Sequence, residues 1–167
     1  FEKVRIIETM GRNVGWLTAA SLLLKENEDQ PPHLVYVPER PFCLQTFLNE
    51  VSSTVDRVGH ALIVVGEGLR DETGTVLAQI PLTSDGKRQV LGGVSTYLAQ
   101  QVSDHLHLPV RSELLGMSQR CSRFAVSKVD RKEAEMLGRE AVKLIRKEKS
   151  GIMLTLQKKK NQGNSMM

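Results

Sequence analysis

Short apolar runs return along this chain, unalternating from His60 to Val65, and apolar residues at helical spacing lie between them. Val4-Arg5-Ile6-Ile7, His33 to Val37 and His60 to Val65 are such runs. Strands that are apolar on successive positions suit burial on both faces, and strands separated by helices in the sequence pair parallel through crossovers. Strand and helix alternate at least four times, which predicts an α/β fold: a mostly parallel sheet with helices on both faces.

Taken in order, Lys3 to Ile7 reads as a strand, Glu8 to Trp16 as a glycine-containing turn, and Gly15 to Lys25 as a helix. That helix carries Leu17, Ala20 and Leu24 on one side, and the polar run Glu26 to Pro32 stops it. A second strand, His33 to Pro38, precedes a helix whose Leu44, Phe47, Leu48, Val51 and Val55 share one face, ended by Gly59. The strand His60 to Val65 delivers Gly66-Glu67-Gly68 to its carboxyl end. Periodicity fails from Leu69 to Gly93, where Asp71, Glu72, Gly74, Asp85 and Gly86 mark turns and Thr75 to Leu82 fits a short strand or an extended loop. Val94, Leu98, Val102 and Leu106 mark a helix, and Arg111 to Leu115 another strand. Ser127 and Asp130 form an approximate capping box before a helix with a stripe of Ala134, Leu137, Gly138, Ala141 and Leu144. Gly151 ends it, and Ile152 to Leu156 reads as a last strand. We therefore expect one domain over residues 1–156 and a polar, frayed tail over 157–167.

Composition excludes several classes. With 40% hydrophobic and 25% charged residues the chain is neither disordered nor membrane-like. Its longest apolar runs, such as Ala61 to Val65, are too short to cross a bilayer, so no membrane partner is expected. The net charge of +4 owes much to Lys158-Lys159-Lys160, and aromatics are only 4%, so no nucleic-acid platform is expected. Cys43 and Cys121 fit no metal spacing and read as buried or partly buried thiols in a reducing cytoplasm. His33, His60, His105 and His107 show no metal-type clustering.

Arg12, Glu67, Arg111 and Arg120 stand out because each is expected at or just past the end of a strand. Parallel strands put those ends on one edge of the sheet, where α/β proteins bind ligands, and the turn after the first strand offers backbone N–H groups to an anion. Guanidinium groups recognise phosphate through paired donors, and a carboxylate accepts from sugar hydroxyls. The set suits a phosphorylated sugar. From position alone, an Arg12–Glu67 ion pair with two solvated arginines explains it equally well.

Three ordered stretches then resemble one family. Met10-Gly11-Arg12, Val64-Val65-Gly66-Glu67-Gly68 and Arg111 to Arg120 look like the motifs of the phosphofructokinases. The resemblance implies that Met10, Gly11 and Arg12 bind the sugar, that Glu67 accepts from its hydroxyls, that Met117, Ser118 and Gln119 belong to the substrate site with Met117 at a position that contacts the sugar, and that Arg120 lies on the 6-phosphate. It also implies that Arg111 reaches the phosphate of a neighbouring subunit in a homo-oligomer, with Lys3 a further basic group. Met117 departs from the family's usual His or Tyr and cannot donate a hydrogen bond. Asn13 to Leu17 and Pro32 to Glu39 resemble the pyrophosphate-dependent branch.

The family's Thr-Ile-Asp-Asn-Asp motif and its Gly-rich donor turn are absent from these residues, so no catalytic residue is expected here. The chain opens on Phe1 without an initiator Met and reads as the sugar-phosphate half of something longer. The resemblance implies a glycolytic phosphotransferase acting on the 1-hydroxyl of fructose 6-phosphate to give fructose 1,6-bisphosphate. Pyrophosphate is the preferred donor and ATP the next, with Mg2+ held beside the donor in the other half. The alternative is a non-catalytic module that binds a sugar phosphate.

Overall fold

Four parallel strands lie side by side in the order β2 (Leu34–Tyr36), β3 (Ala61–Gly66), β1 (Val4–Thr9) and β6 (Val110–Leu114) in the computed structural model, which describes residues 2–81 and 89–157. Val4 stands opposite Ala61 and Val110, and Glu8 opposite Val65 and Leu114, so three strands finish at one level. The α/β architecture with a mostly parallel sheet is the one the alternating pattern predicts. Contacts divide the chain into two compact units, Phe1–Cys121 and Ser122–Met167, and the single domain expected over 1–156 spans both.

In the first unit, side chains on one sheet face meet helices α2 (Leu44–Val58) and α3 (Val94–Leu106). Val4, Ile6, Ile63 and Val65 form a core with Phe47, Val51, Leu98 and Val102, each at most 1% exposed. Burying a side chain of this kind stabilises by roughly 1.5–3 kcal/mol. Both helices follow their predicted stripes closely. Gly59, at φ 83°, ends α2 in the left-handed conformation that glycine adopts without steric cost.

Strand alternation sends Thr9 to the opposite face. There its hydroxyl lies 2.7 Å from that of Thr18 in α1 (Trp16–Ala20), a buried pair that ties the helix to the strand. Helices thus flank both faces of this sheet. The helix expected to reach Lys25 stops at Ala20 instead. The Ser21 hydroxyl donates to Thr18 O at 2.6 Å, and Leu22, Leu23 and Lys25 N–H donate to residues three back. Such tight turns end the α-helical ladder and leave Leu17 and Leu24 exposed.

Two further short strands, β4 (Gln79–Pro81) and β5 (Gln89–Leu91), pair antiparallel where the periodicity gave only a strand or a loop. The turns expected at Asp85 and Gly86, and the tail beyond residue 157, lie outside the described residues.

The second unit is built on α4 (Lys128–Arg146). Ser127 Oγ accepts from Asp130 N at 3.2 Å, which is one half of the expected capping box. Two expectations fail here. Ile152 to Leu156 pairs with no strand among the described residues, and α4 has no buried residue, with Leu137, Ala141 and Leu144 only half-buried. A lone helix with flanking extended chain has no second surface of its own to pack on.

Glu8, 4% exposed, fixes the start of α3 from the strand beside it. Its carboxylate accepts from Gly93 N at 3.1 Å, Ser95 N at 2.9 Å and Ser95 Oγ at 3.1 Å, satisfying donors that no side chain of α3 caps. Glu8→Ala should therefore destabilise the fold by about 1–3 kcal/mol, measured by urea unfolding, because those donors stay buried without an acceptor.

His33 gives a pH dependence. Its Nδ1 accepts from Leu62 N at 2.9 Å, so the ring is neutral, and burial first, then the neighbouring His60 and Lys25 charges, push its pKa down. A depressed pKa contributes stability that is present above the unfolded value of about 6.5 and is lost as pH falls through the folded value. The unfolding midpoint should fall between neutral and mildly acidic pH, and His33→Asn, which keeps an acceptor but cannot titrate, should flatten that limb.

Candidate functional site

Beyond the carboxyl ends of β1 and β3 lies a cleft of about 570 Å³ lined by Met10, Gly11, Arg12, Val14, Trp16, Leu17, Glu67 and Arg120. Each element delivers its residue by where it ends. β1 stops at Thr9 and turns through Met10-Gly11-Arg12, β3 stops at Gly66 and presents Glu67, and β6 leads into a 3-10 turn over Gly116–Arg120. Leu115 N donates to Glu8 O at 3.3 Å, which anchors the entry to that turn beside β1.

The turn after β1 is held by side chains from both neighbouring strands. Gly11 N donates to Glu67 Oε1 at 3.1 Å, and Met10 N donates to Gln119 Oε1 at 2.9 Å. Gly15 N donates to Glu39 Oε1 at 2.7 Å. These backbone N–H groups were expected to face an anion. The Met10, Gly11 and Gly15 N–H groups are already satisfied within the protein, and α1 is only five residues long. Gly68 also packs tightly on the turn: its N–H donates to Gly11 O at 3.2 Å, and a Cβ there would run into the Arg12 carbonyl.

Arg12 and Arg120 are exposed and both line the cleft. Arg120 Nε lies 3.2 Å from Met10 Sδ, a weak acceptor. The cleft thus combines two guanidinium groups, one half-buried carboxylate and an apolar wall from Val14, Trp16 and Leu17. Such a set can hold an anion at one end and accept from hydroxyls at the other. Among the described residues Arg12 and Glu67 form no ion pair, the alternative that position alone had left open.

Arg111 and Lys3 sit elsewhere. Arg111 is the second residue of β6 and pairs in register with Arg5, near the amino ends of the strands and away from the cleft. Its Nε lies 2.8 Å from Glu2 Oε1. Arg5 also bonds Glu2 at 2.8 Å, and this bond first, with the Arg111 charge adding to it, holds the Glu2 carboxyl below its ordinary pKa. The expectation that all four singled-out residues share one edge fails for Arg111 because β6 runs on to Leu114, leaving Arg111 at its amino end. Lys3 precedes β1 and is exposed at that same end. Met117 and Ser118 are exposed on the 3-10 turn and do not line the cleft. Cys121 is exposed rather than buried, and Cys43 is intermediate.

Trp16, Val14 and Leu17 were not expected from sequence to line the cleft, since apolar residues after a turn read as a buried helix face. Among the described residues no group of three or more His, Cys, Asp or Glu side chains could hold a metal ion, and no helix is long and apolar enough to cross a membrane.

The cleft lies at the carboxyl ends of parallel strands, the edge at which open α/β sheets bind ligands. Residues 1–145 match the Phosphofructokinase family, and the chain belongs to it. It is 44% identical to a sulfofructose kinase of Alkalicoccus urumqiensis, over 92% of this chain and 39% of that protein. It is 39% identical to a pyrophosphate–fructose 6-phosphate 1-phosphotransferase of Xanthomonas campestris pv. campestris, over 84% of this chain and 34% of that protein. A crystal structure of a pyrophosphate-dependent phosphofructokinase from Marinobacter aquaeolei superposes with a TM-score of 0.64 at 30% identity, covering 89% of this chain and 33% of that one. The chain therefore spans between 33% and 39% of the length of these relatives.

Glu67→Ala should leave Gly11 N without an acceptor and destabilise the fold by about 1–3 kcal/mol, whereas Glu67→Gln, which keeps a carbonyl oxygen, should cost less. Urea unfolding of the two variants beside the wild type separates the outcomes.

Proposed function

We propose that this chain is the sugar-binding part of a cytoplasmic phosphotransferase that phosphorylates the 1-hydroxyl of fructose 6-phosphate, with pyrophosphate as donor. The observation that carries the reading is the meeting of Arg12, Arg120 and Glu67 around one cleft. Arg120 and Arg12 would hold the 6-phosphate, and the second oxygen of Glu67 would accept from a sugar hydroxyl. In the reaction the 1-hydroxyl oxygen attacks the terminal phosphorus, the bond from phosphorus to the donor's bridging oxygen breaks with release of orthophosphate, and the hydroxyl proton passes to a base outside this chain. This chain's share is positioning, which removes the entropic cost of bringing the acceptor into line.

The donor assignment rests on the names of the Xanthomonas and Marinobacter proteins, and ATP is the second choice. Mg2+ belongs with the donor. The described residues offer it no ligand cluster, so no step is assigned to it on this chain. The exposed Arg111 at the amino ends of the strands suits a role in the cleft of a neighbouring copy, within a homo-oligomer.

A second reading has one specific observation behind it. The Alkalicoccus relative, at 44% identity over 92% of the chain, is named a sulfofructose kinase. On that reading the acceptor bears a sulfonate at C6 in place of the phosphate. The chemistry at the 1-hydroxyl is unchanged, and the arginines face a monoanion.

Calorimetric titration of the purified chain should show binding of fructose 6-phosphate and none of fructose. Arg120→Ala should weaken it by about 2–5 kcal/mol, the cost of leaving a desolvated anion without its partner. Equal binding by the variant would remove Arg120 from the site. Tighter binding of 6-deoxy-6-sulfofructose than of fructose 6-phosphate would select the second reading.

A further inference from the structure

Gln119 is reached from a motif expected to line the sugar phosphate, but both ends of its side chain are engaged within the protein. Oε1 accepts from Met10 N at 2.9 Å, and Nε2 donates to Gly116 O at 3.0 Å. The orientation of the amide follows, because only its oxygen can face an N–H and only its nitrogen a carbonyl. The side chain is half-buried and lies outside the lining of the cleft.

Its neighbour is Arg120. In a 3-10 turn successive side chains diverge by a third of a revolution, so pinning one residue sets the direction of the next. With Gln119 fixed on the Met10 backbone, Arg120 is turned towards the cleft and its Nε comes to Met10 Sδ at 3.2 Å. Met10 is therefore gripped twice, at its amide by Gln119 and at its sulfur by Arg120. The turn that carries Arg12 and the turn that carries Arg120 are joined through this one residue.

We infer that Gln119 is a positioning residue of the sugar site: it touches no ligand and acts by holding Arg120 in register with the Met10-Gly11-Arg12 turn. This rests on the sugar-phosphate reading above. The role demands an acceptor and a donor on one side chain of this length. Glu supplies the acceptor alone, and Met supplies only the shape.

The test uses the 167-residue chain, with amide hydrogen exchange at Met10 read by NMR and fructose 6-phosphate binding read by calorimetry. Gln119→Met should exchange at Met10 about tenfold faster and bind fructose 6-phosphate about tenfold more weakly, the scale of one lost hydrogen bond. Gln119→Glu, which retains the acceptor, should restore protection at Met10. A cooperative thermal transition, lowered by no more than the few degrees that one hydrogen bond is worth, shows that the variants are folded. Weakened binding with Met10 protection intact would mean that Gln119 contacts the sugar itself and would overturn the inference. Lost protection with unchanged affinity would overturn it from the other side. A wild-type chain that fails to bind fructose 6-phosphate overturns the sugar-phosphate reading instead, and the exchange measurement then still decides whether Gln119 clamps Met10.

Discussion

A chain that leaves a sheet must find acceptors for the backbone N–H groups the ladder no longer uses. After β1 those acceptors are side chains supplied by the strands on either side, Glu67 from beyond β3 and Gln119 from beyond β6. Three neighbouring strand ends are thereby stitched together at the edge where the cleft lies. Glu8 extends the same logic inward, since its buried carboxylate ties β1 to the first turn of α3. Removing any one of these acceptors exposes a cost of the order of a hydrogen bond, and the position of the arginines depends on all of them.

This accounting separates two kinds of residue within the family's motifs. Arg12 and Arg120 line the cleft and, among the described residues, keep donors to spare, whereas Glu67 and Gln119 have already spent part of their hydrogen-bonding capacity on the protein. Glu67 keeps one oxygen without a partner among the described residues. Gln119 is committed at both ends, and its contribution passes through Arg120. Arg111, tied to Glu2 at the far end of the strands, takes part in neither task within this chain.

Much of the fold was legible because burial writes a period into the sequence. The stripe Phe47, Leu48, Val51, Val55 and the terminating Gly59 gave α2 nearly to the residue, and Val94 to Leu106 did the same for α3. The strand ends that carry Arg12 and Glu67 followed from where apolar runs met glycines. What escaped was set by tertiary contact or by hydrogen bonds with no period. Ser21 turning onto Thr18 O ended α1 early, although Leu17 and Leu24 keep helical spacing. Arg111 opens β6 rather than closing it, so a parallel strand puts it at the amino edge of the sheet, opposite the cleft. Apolar spacing in α4 promised burial that its own unit has no surface to supply, and no pattern in the sequence announces that Met10 N points at Gln119.

The most direct measurement is mapping of amide chemical shifts in the isotopically labelled chain as fructose 6-phosphate is added. An anion held at the carboxyl ends of the strands should move Gly11, Arg12, Glu67, Gly68 and Arg120 and leave Lys3 and Arg111 in place. Shifts centred on Lys3 and Arg111, or on the separate cleft beside β2 that His33, Tyr36 and Glu50 help to line, would contradict the account.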